Sequence, residues 1–108
     1  MANGAERRAS RRFTMALPLT VLSVRSGGAA EKRGQTRDVS FRGLYFFIDA
    51  EFEAGNEIEF ILTLPREITL ASDVNIHCSG QVLRVEPHNG QRGVAARIDR
   101  YEFMSAAV

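Results

Sequence analysis

Along most of this chain, apolar and polar residues alternate with a period of two. Leu17, Leu19 and Val21 share one parity near the start; Ile58, Phe60, Leu62 and Leu64 share another in the middle, with Glu57, Glu59 and Thr63 between them. Successive side chains of a strand point to opposite faces, so this period, carried by β-branched and aromatic residues, predicts half-buried strands. Strands are expected over 17–25, 36–40, 43–49, 56–64, 73–86 and 91–98. The gaps between them hold turn chemistry: Ser26-Gly27-Gly28, Gly55-Asn56, Pro65 and the group Pro87, Asn89 and Gly90. No stretch keeps a helical period beyond a turn or two, and neither an internal repeat nor a heptad run is present.

Parallel neighbours need a crossover of roughly a dozen residues or more, usually a helix, and no helix long enough for one is expected here. The expected architecture is therefore all-β and antiparallel, a barrel or a compact sandwich. Segment 73–86 is long for a strand, whose usual length is about 5–6 residues. Its alternation holds at Val74, Ile76 and Cys78 and slips at Val82, Leu83 and Val85. A bend or bulge near Gly80 would explain the slip and let one strand serve two sides of a barrel. Outside the pattern stand a polar, Arg-rich arm at 1–12, a flexible connection at 26–37, and a tail at 99–108 that frays or forms a turn of helix. The barrel itself is expected over 13–98.

Composition narrows the class. A chain of 108 residues, 44% apolar and 25% charged, is one small globular domain with one modest core. One cysteine forms no internal disulfide, and with two histidines it cannot complete a four-ligand zinc site, so no metal or cofactor is expected. No apolar run approaches the ~18 residues of a membrane span, and residues 1–12 lack the apolar core of a signal peptide. A cytoplasmic setting is the expectation.

The net charge of +1 conceals an asymmetry: Arg7, Arg8, Arg11 and Arg12 face only Glu6 in the first twelve residues, while the remainder is net acidic. Thirteen of the fourteen basic residues are arginine, whose planar fork pairs bidentately with phosphate or a guanine edge. Arg8 and Arg12 form an Arg-x-x-x-Arg pair just before Phe13. On a helical turn they share a face; extended, they lie roughly 13 Å apart on one side. A second element, Asp38-Val39-Ser40-Phe41-Arg42-Gly43-Leu44, joins two expected strands. Val39 is apolar, so Asp38 and Ser40 are expected on the opposite face. Gly43 is expected to supply a positive φ and to let a ligand approach the backbone.

Together these elements resemble the PilZ domain family, whose pattern is Arg-x-x-x-Arg followed some twenty to thirty residues later by Asp/Asn-x-Ser-x-x-Gly. Arg8 and Arg12 supply the first part; Asp38, Ser40 and Gly43 supply the second, 26 residues beyond Arg12. Glu6-Arg7-Arg8 and Phe13 are similar to the family's lead-in, and Gly43-Leu44-Tyr45-Phe46, Gly80-Gln81-Val82-Leu83-Arg84-Val85 and Gly93-Val94-Ala95-Ala96-Arg97-Ile98 are similar to its later strands. The resemblance covers residues 6–98. It implies a six-stranded antiparallel β-barrel that binds the bacterial second messenger cyclic di-GMP in the cytoplasm and signals to a downstream protein.

The ligand's chemistry suits these residues. Its two phosphates attract arginines, and guanine O6 and N7 match a guanidinium fork. Guanine N1–H and N2–H need an acceptor, which Asp38 supplies. Ser40 can donate to a phosphate or ribose oxygen, or hold the turn. Arg7 is expected to assist, Arg42 adds a cation, and Arg84 can stack where some family members place an aromatic ring.

Other classes fit less well. His77 and His88 read as surface histidines, Cys78 as a buried apolar thiol, and no Gly-rich phosphate loop is present, so a binding domain is expected rather than an enzyme. Single-stranded nucleic acid would need a long basic, aromatic groove, whereas the chain beyond residue 12 is net acidic. A third reading is a PilZ-like adaptor that no longer binds nucleotide.

Overall fold

Among the described residues the chain forms seven strands, and every pairing is antiparallel. The computed structural model describes residues 13–24 and 31–104. The elements are β1 (Phe13–Thr14), β2 (Pro18–Val24), β3 (Lys32–Val39), β4 (Gly43–Ile48), β5 (Glu57–Leu64), a single helical turn α1 (Arg66–Thr69), β6 (Val74–His88) and β7 (Gln91–Phe103). Strands β3, β2, β5, β6, β7 and β4 follow one another around a barrel that closes through the β3–β4 pairing, and β1 adds an extra strand on β3. Closure removes most of the exposed edge that an open sheet of this size would present. Among the described residues no helix is long and apolar enough to cross a membrane.

The inward parity of each strand makes the core. Leu19 and Val21 of β2, Leu44, Phe46 and Ile48 of β4, Ile58, Phe60 and Leu62 of β5, and Val82 and Val94 are buried together. Phe46 lies at the centre, with ring centroids 6.3 Å from Phe52 and 6.4 Å from Phe60. Cys78 is buried in the same cluster, and burial pushes its thiol up to about 11.

Strand β6 bends as the slip in its pattern anticipates. Against β7 the register shifts between Ser79 and Gly80 and again between Val82 and Arg84, leaving Leu83 as the extra residue and half exposed. At Gly80 a Cβ would lie 1.7 Å from the Arg97 carbonyl oxygen, so only glycine permits that crossing of β6 and β7.

Three expectations are corrected. Residues 32–35, placed in the flexible connection ahead of the strand expected over 36–40, belong to β3 as well. The inward positions there are Gly34 and Thr36, so the strand carries no apolar period to read. Second, β7 runs through Asp99–Phe103 and pairs with β6 as far as Ile76↔Phe103, where a tail is expected from 99. Arg100 and Glu102 alternate there with Tyr101 and Phe103, which is a strand pattern. Third, Gly43 has no positive φ; among the described glycines only Gly55 and Gly90 do. Its requirement is space, since a Cβ at Gly43 would stand 2.6 Å from the Ala96 carbonyl oxygen of β7. The expected arm at 1–12 lies outside the described residues.

Candidate nucleotide-binding surface

The β3–β4 turn is closed by one side chain. The Ser40 hydroxyl donates to the Gly43 carbonyl at 3.1 Å and accepts from the Arg42 and Gly43 amides at 3.2 Å each, while the Ser40 amide donates to the Gly43 carbonyl at 2.7 Å. A serine hydroxyl offers one proton and two lone pairs, and all three are used. Of the two roles open to Ser40, the structure has it holding the turn. The turn is also tied to β7, through the Ile98 amide and the Arg42 carbonyl at 2.8 Å. Arg42 projects from it exposed.

Asp38 owes its direction to a bulge. On β3, Thr36 is paired with inward-facing Phe46, but the register then shifts, and Asp38 is paired with Tyr45. Arg37 is the extra residue, so Arg37 and Asp38 both reach the outer surface beside Tyr45, as a bulge re-aims side chains. Arg37 Nε donates to Asp38 Oδ2 at 2.7 Å, and its guanidinium carbon lies 4.0 Å from the centroid of the Tyr45 ring. Asp38 is itself buried.

Tyr45 is the hub of this surface. Its hydroxyl donates to Glu86 Oε2 at 2.7 Å, Arg84 approaches its ring at 5.9 Å, and Arg84 Nε stands 3.7 Å from Glu86 Oε2. A Cβ on Gly93 would lie 2.1 Å from the Tyr45 hydroxyl, so glycine at 93 is what lets the ring lie flat on the sheet. Burial, then the bonded Glu86, raises the Tyr45 pKa above its ordinary value. The same hydrogen bond, helped by Arg84 and Arg37, lowers that of Glu86. Beyond Tyr45 the aromatic surface continues through Phe47 to His88, stacked at 4.2 Å.

The structure thus brings Asp38, Ser40, Gly43 and Arg42 into one turn and its flanks, and sets Asp38 and Arg84 on either side of Tyr45. Arg7, Arg8 and Arg12 lie outside the described residues. However, β1 begins at Phe13, the residue after Arg12, and it pairs Phe13↔Val39 and Thr14↔Asp38. A buried threonine fixes that placement. Thr36 Oγ1 donates to the Met15 carbonyl at 2.6 Å and accepts from the Leu17 amide at 2.8 Å, and the Thr36 amide donates to the Leu17 carbonyl at 2.9 Å. The chain is held there as it passes from β1 to β2.

Arg37, Tyr45 and Glu86 are the members of this surface that the sequence pattern missed. Arg37 adjoins Asp38 and could be suspected on charge alone, but Tyr45 stands in the run Leu44-Tyr45-Phe46-Phe47 and reads as core. An aromatic platform is present after all, on β4 and covered by Arg37, rather than on the strand that carries Arg84.

Comparison with known proteins agrees with this architecture. The PilZ domain family matches residues 6–104. Among solved structures, the inhibitor of motility MotI/DgrA of Bacillus subtilis superposes with a TM-score of 0.69 at 18% identity, covering 84% of this chain and 42% of that one. The present chain therefore spans less than half the length of that protein, and the likeness concerns the fold. Comparison with curated proteins gives no match.

Proposed function

The chain belongs to the PilZ domain family, and from that membership we propose that it is a receptor for cyclic di-GMP that presents a ligand-dependent surface to a downstream protein. One observation carries the reading: β1 pairs Phe13 with Val39 and Thr14 with Asp38. Arg12 is one peptide link, about 3.8 Å between Cα atoms, from Phe13. The residue that follows the first motif is therefore paired with the strand that carries Asp38, which lies 26 residues beyond Arg12 in sequence.

In this reading Arg8 and Arg12, with Arg7 assisting, neutralise the two phosphates through charge-assisted hydrogen bonds. Asp38, its carboxylate aimed by Arg37, accepts from guanine N1–H and N2–H. Ser40 and Gly43 act by shaping the turn, and Arg42 adds a cation that makes no ion pair among the described residues. Arg37 lies with one face on Tyr45 and is half exposed, so its other face can carry a purine, as can Arg84. Nothing in this assignment requires bond making or breaking. The second reading is the adaptor, favoured by the fact that Asp38 Oδ2 and the Ser40 hydroxyl already have partners within the chain.

Calorimetric titration with cyclic di-GMP at physiological salt, beside GTP, separates the two. A receptor gives saturable binding that GTP does not reproduce, weakened roughly 5- to 150-fold by Arg12→Ala and by Asp38→Ala, the range for loss of a bidentate contact worth about 1–3 kcal/mol. No heat and no change in Tm at saturating ligand would leave the adaptor reading.

A further inference from the structure

Strand β7 outruns its neighbour. β4 begins at Gly43, opposite Arg97, and the last bond on that side runs from the Ile98 amide to the Arg42 carbonyl. From Arg100 to Phe103, β7 is paired only with β6, and Asp99 is the residue left out at the register shift, so among the described residues the other edge of this stretch is open. The direction of the main-chain groups follows from the ladder. The Met104 amide donates to the Asn75 carbonyl at 2.9 Å, and hydrogen-bonded pairs recur every second residue, which gives Glu102 with His77 and Arg100 with Ser79. Tyr101 and Phe103 therefore turn their N–H and C=O groups to the open edge. Such a row is a template for another strand, and neither proline nor lysine blunts it here.

The edge borders an apolar mouth at one end of the barrel. A cavity of about 310 Å³ is lined by Phe13, Phe41, Ile76, Cys78, Tyr101 and Phe103 among others. Phe41, Phe103 and Tyr101 remain 70%, 65% and 48% exposed, a clustering of large apolar side chains that marks an interaction surface.

We propose that this edge pairs with the same edge of a second copy of the chain, antiparallel about a two-fold axis through Tyr101. Charge complementarity selects both the occupant and the register. With the axis at Tyr101, Arg100 lies opposite Glu102 of the partner subunit and Glu102 opposite the partner's Arg100. Both residues are exposed, and neither makes an ion pair among the described residues of its own chain. On the other face Tyr101 meets the partner's Tyr101, and the two exchange main-chain hydrogen bonds. Moving the axis one residue to Glu102 would set like charges against each other, which directly opposed strand pairs disfavour. The contact is isologous, so it closes at two copies and does not propagate. It joins two β5–β6–β7 sheets with their apolar mouths on one side.

Sedimentation equilibrium of the full chain without nucleotide tests this over a wide concentration range, and its outcome is separate from the ligand reading. Expected is a reversible shift toward twice the monomer mass. Arg100→Glu and Glu102→Arg should each abolish it, and the double variant carrying both should restore it, with unchanged circular dichroism throughout. A wild-type chain that stays monomeric at every concentration overturns the proposal and leaves the mouth to a different occupant. A dimer indifferent to both charge reversals overturns it as well, because its contact then lies elsewhere.

Discussion

The two faces of β4 hold the same kind of residue and do different work. Leu44, Phe46 and Ile48 point inward into the apolar cluster, whereas Tyr45 and Phe47 point outward into a network of Arg37, Arg84, Glu86 and His88. Both faces are aromatic, and Tyr45 is nearly as buried as the core. What separates them is what covers them: the inner face is closed by the barrel's own side chains, the outer by charged groups that can be moved. A ligand can compete for the second cover and not for the first. The difference teaches that burial alone does not identify core in a barrel this small, and that the partner of a buried ring says more than its exposure.

The strongest way to sharpen that contrast is to remove the central inner ring. Phe46→Ala empties the middle of the cluster formed with Phe52 and Phe60 and should destabilise the domain by about 3–5 kcal/mol, the range for a fully buried phenylalanine. Urea unfolding followed by circular dichroism checks it. A loss below about 1 kcal/mol would mean that the barrel collapses around the void, and that the inner face is less specific than its packing indicates.

The same contrast governs how much could be read in advance. The inner face was legible wherever it is aliphatic: the parities of Leu17–Val21 and Ile58–Leu64, and the bulge near Gly80, all follow from period two. It was illegible at Gly34 and Thr36, because inward positions that carry no apolar side chain leave no periodic trace. The motif residues Asp38, Ser40 and Gly43 were legible as a group, but the reason for Gly43 was not. Gly43 reads as a turn glycine, yet the space it saves faces the Ala96 carbonyl, a contact made across the sheet that no local pattern encodes. Tyr45, Arg37 and Glu86 come from β4, β3 and β6 and meet only through the pairing of β3 with β4 and the long course of β6, so their association is a property of topology.

Thr36 offers an intermediate test, since it is a polar residue on the inner face, paired with Phe46 itself. Thr36→Val keeps the shape and removes the hydroxyl, leaving the Met15 carbonyl and the Leu17 amide without that partner. An unsatisfied buried group costs about 1–3 kcal/mol, and that is the expected loss of stability in the same urea experiment. The variant also loosens the passage from β1 to β2. If the receptor reading holds, nucleotide affinity should fall although Thr36 touches no ligand group. Unchanged affinity with lowered stability would separate the placement of β1 from binding.

The smallest effect belongs to the outer face. Tyr45→Phe keeps the ring under Arg37 and deletes the bond to Glu86, so near neutral pH the loss of stability should be well below that of Thr36→Val. Its signature lies in the pH profile. Because the Glu86 pKa is lowered in the folded state, mainly by the Tyr45 hydroxyl, its contribution is present above the ordinary glutamate value of about 4.3 and is lost as pH falls through the lowered one. Because the Tyr45 pKa is raised, mainly by burial and then by Glu86, its contribution is present below about 10 and is lost as pH rises through the raised value. Tyr45→Phe removes the alkaline loss and flattens the acid one. Melting temperatures of the two proteins should therefore draw together as the pH falls, and draw together or cross as it rises, because burial of the phenolate adds to the loss of the bond. Parallel curves that never converge would show that the hydroxyl acts through packing alone, and the outer face would then differ from the inner one in composition but not in kind.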